Sequence, residues 1–284
     1  MSCFHFILTR FNLPLWRTDK NGNAIHRDSW LDDRIYLFET YCLPAVKKQT
    51  CQNFIWVLLA DAETPDNYKE KFRHYSEEFH QIKFFFLKRQ YAYKFAEAFR
   101  QIVCRLLQEQ GAKSEDMCLT TYLDNDDVIA ANYIGDIQER AQECRYGTFL
   151  SYDYGYQYFT ELSVTTRIKY PNNHFMTLVE AANSVRTCYG YGSHFLLEKN
   201  NIAPVLHVDS KKHPMWMEII HGCNVDNDVK MTYDTKVIDN SGMSELLSRF
   251  PINLNYENGN RHAYYWRCLK QVYRRSRDKI FPPK

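Results

Sequence analysis

Four strand-length apolar runs in the first half of the chain, each with room for a helix before the next, limit the fold more than any other feature. Cys3 to Thr9 (CFHFILT), Phe54 to Leu59 (FIWVLL), Ile82 to Leu87 (IKFFFL) and Cys118 to Leu123 (CLTTYL) are rich in aromatic and branched side chains and end in polar residues. Between the first two, SWLDDRIYLFETYCLPAV opens with Ser29 and Asp32 at capping-box spacing. It then repeats Leu31, Ile35, Phe38 and Cys42 at helical intervals until Pro44 bends or ends the helix. Between the last two, Phe95, Ala98, Phe99, Ile102, Val103, Leu106 and Leu107 make an apolar stripe of helical period that Gly111 closes. A β-α-β-α-β-α-β order predicts an α/β fold with a Rossmann-like, mainly parallel sheet and helices on both faces. Parallel neighbours need crossovers, and these are nearly always right-handed.

In such sheets ligands bind beyond the carboxyl ends of the strands. That singles out Arg10, Phe11 and Asn12 after the first run, Asp61 after the second and Asp124 to Asp127 after the fourth, although turn residues occupy the same places. The second half is patterned differently. SYDYGYQYF (Ser151 to Phe159) puts Tyr152, Tyr154, Tyr156 and Tyr158 on one face of an extended segment, either a core face or a sugar-stacking platform, with core packing the better expectation. Pro214 and Gly222 bracket a predicted two-turn helix that would place Glu218 and His221 on one face, followed by Cys223, Asn224 and a polar stretch to Asp228. Arg261 to Lys284 carries eight Lys or Arg against one Asp, with Tyr264, Tyr265, Trp266 and Tyr273 interleaved; it reads as a solvated helix or one lying on an anionic membrane surface. Without a linker or repeat, residues 1–260 are expected to form one domain, with halves of about 1–130 and 131–260, ahead of a 261–284 tail.

Charge and cysteine usage narrow the partners. The 36 basic and 34 acidic residues nearly cancel, which argues against a nucleic-acid partner. Nine scattered cysteines without a CxxC pair, most of them inside apolar runs, read as buried free thiols of a reducing compartment. No apolar stretch reaches the roughly 18 residues of a spanning helix, so the expected location is cytoplasmic, with peripheral contact at the inner membrane face left open.

The chemistry is concentrated in Tyr122-Leu123-Asp124-Asn125-Asp126-Asp127-Val128, three carboxylates in four residues directly after a strand. Like charges this close repel unless a cation joins them, and hard ions such as Mg²⁺ or Mn²⁺ prefer oxygen ligands. Asp124 and Asp126 would flank the ion, or Asp126 and Asp127 would start the helix through Tyr133, Ile134 and Ile137. His221 is a candidate for one further metal position or a helix-end histidine bonded to a carbonyl.

Thr9-Arg10-Phe11-Asn12, Trp30 and Arg34 with Leu37-Phe38-Glu39, Leu123 to Asp127, and Pro214-Met215-Trp216 leading to His221-Gly222 and Asn224 occur in an order that resembles the putative rhamnosyltransferase family of bacteria. That resemblance implies the GT-A nucleotide-diphospho-sugar transferase fold and a metal-dependent glycosyltransferase. The enzyme would move a sugar from a nucleotide donor to a saccharide or lipid-linked glycan in surface polysaccharide biosynthesis. It implies a divalent Mn²⁺ or Mg²⁺ held by Asp124, Asp126 and Asp127 with His221 as a later ligand, and a nucleotide pocket from Arg10, Phe11, Asn12, Arg34, Asp61 and Asp124. An inverting transfer also needs a base, for which Asp209, Glu218 and His194 are the candidates. The rivals are a non-catalytic glycan- or membrane-binding module of the same fold, and metal-dependent phosphodiester cleavage.

Overall fold

In the computed structural model, which describes residues 2–16, 18, 28–222 and 229–280, all four apolar runs are strands. β1 (Cys3–Arg10) leads to α1 (Asp28–Leu37), a π-helical turn (Phe38–Cys42) and α2 (Leu43–Lys47). Then come β2 (Ile55–Asp61), α3 (Asp66–Glu78), β3 (Ile82–Leu87), α4 (Phe95–Glu109) and β4 (Met117–Tyr122). β1 pairs in parallel with both β2 and β4, and β2 with β3. Because strand side chains alternate between faces, Phe6, Leu8, Val57 and Leu59 meet Phe99, Val103, Leu106 and Leu107 of α4 on one side. Ile7, Trp56 and Leu58 meet Trp30, Leu31 and Ile35 of α1 and Phe72 and Tyr75 of α3 on the other. Both faces are covered, which is why these runs show no polar alternation.

Two punctuation signals act locally. Gly111 closes α4 with φ +69°, a conformation that other residues adopt at a cost. Pro44 does not end its helix: Leu43 donates its N–H to the Phe38 carbonyl, five residues back, and this wide turn accommodates a proline that has no N–H for residue 40.

The second half adds β5 (Val128–Ile129), α5 (Tyr133–Ala141), β6 (Thr148–Tyr152), β7 (Tyr154–Phe159), β8 (Val164–Lys169), β9 (Met176–Ala181), β10 (Val205–Val208), β11 (Trp216–Ile220), β12 (Lys236–Val237), α6 (Asn240–Arg249) and α7 (Arg261–Ile280). A seven-stranded sheet runs in the order β10-β6-β9-β4-β1-β2-β3, with β9 antiparallel to its neighbours. Beside it lies a five-stranded mixed sheet, β12-β8-β7-β11-β5. The tyrosine row breaks at Asp153, so Tyr152 belongs to the first sheet and Tyr154, Tyr156 and Tyr158 to the second. All four are buried, as core residues and not as a sugar platform.

The expected helix from Pro214 to Gly222 is a strand. β11 pairs in parallel with β7 and antiparallel with β5, and Trp216, Met217, Glu218, Ile219 and Ile220 are all buried. A five-residue buried run has no readable period, and Pro and Gly end strands as well as helices. Glu218 and His221 therefore share no helix face: Glu218 lies inside the strand and His221 directly beyond its end.

β7 and β11 touch through an unusual gap. A Cβ on Gly155 would lie 2.1 Å from Cδ2 of the fully buried Trp216. Gly155→Ala is accordingly expected to cost about 3 kcal/mol, read as a lower urea midpoint, because an overpacked core must shift. An unchanged midpoint would show that the ring can move freely.

At the far end, Tyr264 and Cys268 of α7 seat on Phe159, Val164, Ile220 and Val229. The eight described cysteines are free thiols, four of them buried. Cys223, Asn224, the polar stretch to Asp228 and the last four residues of the tail lie outside the described residues.

Candidate active site

β4 delivers the acidic turn. Leu8 and Thr9 at the end of β1 hold Leu123, whose N–H donates to the Leu8 carbonyl at 3.2 Å and whose carbonyl accepts from Thr9 Oγ1 at 2.7 Å. Beyond Leu123 the side chains fan out in different directions. Asp126 and Asp127 do not begin a helix, since β5 intervenes before α5.

Asp124 is the accessible member, its side chain 28% exposed and 3.5 Å from Arg10 Nη2. The Tyr122 hydroxyl donates to it at 3.0 Å and itself accepts from Arg10. The Arg10 guanidinium is boxed by the rings of Trp16, Phe95, Tyr122 and Tyr189, each 5.2–5.4 Å from its carbon. It is thus a fixed cation beside Asp124. Asn125 donates to the Phe11 carbonyl and accepts from Arg34 Nη2 at 2.6 Å.

Asp126 and Asp127 are both buried but occupy opposite electrostatic settings. Asp126 Oδ2 lies 2.9 Å from Arg34 Nη1 and 2.9 Å from His221 Nε2. Burial alone would raise its pKa; Arg34 and His221 outweigh that and hold it below the usual carboxylate range. Asp127 accepts the Ile219 N–H at 3.0 Å and lies 2.7 Å from His174 Nε2. Its burial, with Asp126 and Glu218 nearby, pushes its carboxyl up, against the opposing pull of His174. His174 stacks on Phe175, and its Nδ1 is 3.7 Å from Glu218 Oε1. Burial pulls the His174 pKa down, but Asp127 and the other carboxylates reverse this and leave it raised.

The structure thus regroups the expected ligands. Asp124, Asp127 and His174 each offer a ligand atom within 4.8 Å of the others, a set that can hold a divalent ion. Two carboxylates and one imidazole suit Mn²⁺ or Mg²⁺. Asp126 meets both Arg34 and His221, so Arg34 neutralises a carboxylate. Phe11 points into the core against Phe38, Phe72 and Phe84. Asn12 and Asp61 do come together, Asn12 Oδ1 accepting the Asp61 N–H at 3.0 Å, with Arg89 Nε on Asp61 at 2.8 Å.

The three base candidates separate. Glu218 is fully buried, accepting from Gln157 and paired with Lys230, with no surface left for an acceptor. Asp209 is exposed, on a pocket lined by Asn132, Asp136, Arg140 and Arg249 and by none of the clustered carboxylates. His194 is the one beside the cluster, its ring centroid 6.1 Å from that of His174. Burial, and then the positive field of His174, Lys230 and Arg10, lower its pKa to about 3. His174, Lys230 and Tyr189 were not singled out from the sequence. The available signal for His174 was a histidine placed after a Pro-Asn-Asn loop, immediately before an apolar strand.

The sheet carries β3-β2-β1-β4 as a parallel run with the acidic turn directly after β4. The chain belongs to the putative rhamnosyl transferase family, whose pattern it matches over residues 5–233. No curated protein sequence matches it. Among solved structures it is similar to S. aureus TarS 1-349, at 10% identity over 77% of this chain and 60% of that one, TM-score 0.38. It spans 37% of the longer TarS structure. It is also similar to 4-diphosphocytidyl-2C-methyl-D-erythritol synthase, at 14% identity over 87% of this chain and 99% of that one, TM-score 0.37. A putative nucleotide-diphospho-sugar transferase from Desulfovibrio desulfuricans G20 aligns at 10% identity over 78% of this chain and 82% of that one, TM-score 0.33.

Proposed function

We propose that the protein is a metal-dependent glycosyltransferase that moves a sugar, rhamnose by the family's description, from a nucleotide-diphosphate donor to a saccharide or lipid-linked glycan of a surface polysaccharide. The observation that carries this reading is the convergence of Asp124, Asp127 and His174 within 4.8 Å at the carboxyl end of the parallel sheet. Those three residues would hold Mn²⁺ or Mg²⁺, which when bound supplies positive charge to a departing diphosphate. The protein's own part is preorganisation. Tyr122 and Arg10 aim Asp124, the His174 ring and the Ile219 N–H fix Asp127, and Arg34 with His221 keeps Asp126 ionised without sharing it. Of the base candidates His194 stands beside the cluster, and its lowered pKa makes it a weak general base.

Isothermal titration with UDP, GDP and dTDP, with Mn²⁺ and then with EDTA, tests the reading together with donor turnover. One nucleoside diphosphate should bind with Mn²⁺ and weaken at least about tenfold with EDTA, and its sugar conjugate should turn over. Binding without turnover of any sugar nucleotide would favour a non-catalytic module; no nucleotide binding at all would overturn the transferase reading.

A further inference from the structure

α7 buries one face and leaves a second apolar face uncovered. Tyr264 and Cys268, four residues apart, seat on the second sheet and are 2% and 6% exposed. Roughly a third of the way round the helix, Tyr265, Leu269, Val272 and Tyr273 recur at i, i+4, i+7 and i+8, with Trp266 at their margin. These five side chains are 54, 62, 46, 72 and 61% exposed in that order. A seated helix has no packing reason to carry a second apolar stripe. The charge around it is one-sided: within Arg261–Ile280 there are seven Lys or Arg and one Asp, in a chain whose net charge is only +2. Lys270, Arg274 and Arg277 lie along the Trp266 margin of the stripe and Arg261 along the other.

We infer that α7 is an interfacial helix that docks the protein on an anionic lipid surface, with Tyr265, Leu269, Val272 and Tyr273 entering the head-group boundary and the flanking cations on the lipid phosphates. Charge selects this occupant over a second copy of the chain. Two such helices face to face would bring like-charged margins together, whereas an anionic bilayer complements them. Trp and Tyr are favoured at that boundary, where one end of the ring is apolar and the other wet. No helix among the described residues is long and apolar enough to cross a membrane, so the helix lies on the surface. The docking does not depend on turnover, but it is tied to the site. Ile220 beneath α7 immediately precedes His221, so a bound α7 anchors the strand that leads into the carboxylate cluster.

Flotation of the full chain with vesicles tests this. The protein should float with phosphatidylglycerol/phosphatidylcholine vesicles, at least about tenfold more than with phosphatidylcholine alone, and be released by high salt. The double variant Leu269→Glu/Tyr273→Glu should lose that partition about tenfold or more. It should keep its circular dichroism and melting temperature, because Tyr264 and Cys268 are untouched. Absence of flotation, equal flotation with both vesicle types, or full flotation of the double variant would each overturn the inference. So would a dimer in sedimentation velocity that the double variant abolishes, since the stripe would then belong to a second copy. A milder variant, Tyr265→Ser, should weaken flotation part-way if the larger change unfolds the helix; unchanged flotation in a folded Tyr265→Ser protein would count against the stripe.

Discussion

Asp124→Asn is expected to lower sugar transfer by two to three orders of magnitude, on the order of 3–4 kcal/mol of transition-state stabilisation, while leaving the melting temperature nearly unchanged. The reason is the asymmetry of the acidic turn. Asp124 is its accessible carboxylate, and the neighbouring Arg10 keeps the Tyr122 hydroxyl and its aromatic box after the charge is gone. Substitutions of partly exposed groups outside core networks change stability by only about 0.5 kcal/mol. Asparagine keeps the shape but not the charge that a divalent ion demands. The measurement is transfer rate at saturating donor, paired with Mn²⁺ titration. Full activity would remove Asp124 from the site, and a rate loss that merely tracked unfolding would make it structural.

Arg34→Met should do the opposite, costing about 3 kcal/mol of stability at pH 7 because it strands a buried carboxylate. Arg34 and Asp126 side chains are 13% and 7% exposed, and Asp126 would keep His221 and its own backbone N–H but no permanent cation. The pH dependence follows from the direction of the Asp126 shift. Its folded pKa is held below the unfolded value, so the pair's stabilisation is present above the unfolded carboxylate pKa of roughly 4 and disappears as pH falls through the folded one. Urea melts should show the largest gap between parent and variant near neutrality and a shrinking gap below about pH 4. Equal stability at pH 7 together with weakened donor binding would instead return Arg34 to the nucleotide, as the family resemblance implied.

The contrast between these two residues marks where sequence reading ends. The four parallel strands, the crossover order and the position of the acidic turn were legible from the residues alone. Each of these rests on local signals: an unbroken apolar run for a strand covered on both faces, a 3.6-residue stripe for α4, and polar residues where a strand leaves the core. The period of β11 was unreadable because all five of its side chains are buried, and the same burial removes any alternation that would separate a strand from a helix. How the carboxylates divide depends on contacts between segments far apart in the chain. Asp124 and Asp127 turn toward His174, 47 residues beyond Asp127, while Asp126 turns toward Arg34 and toward His221, 95 residues on. Asp124, Asp126 and Asp127 are near neighbours in the chain, but the turn brings Asp124 and Asp127 together and sends Asp126 to Arg34 and His221. Which partner each meets depends on the loop before β9 and the end of β11 arriving beside β4, and no local pattern encodes that register.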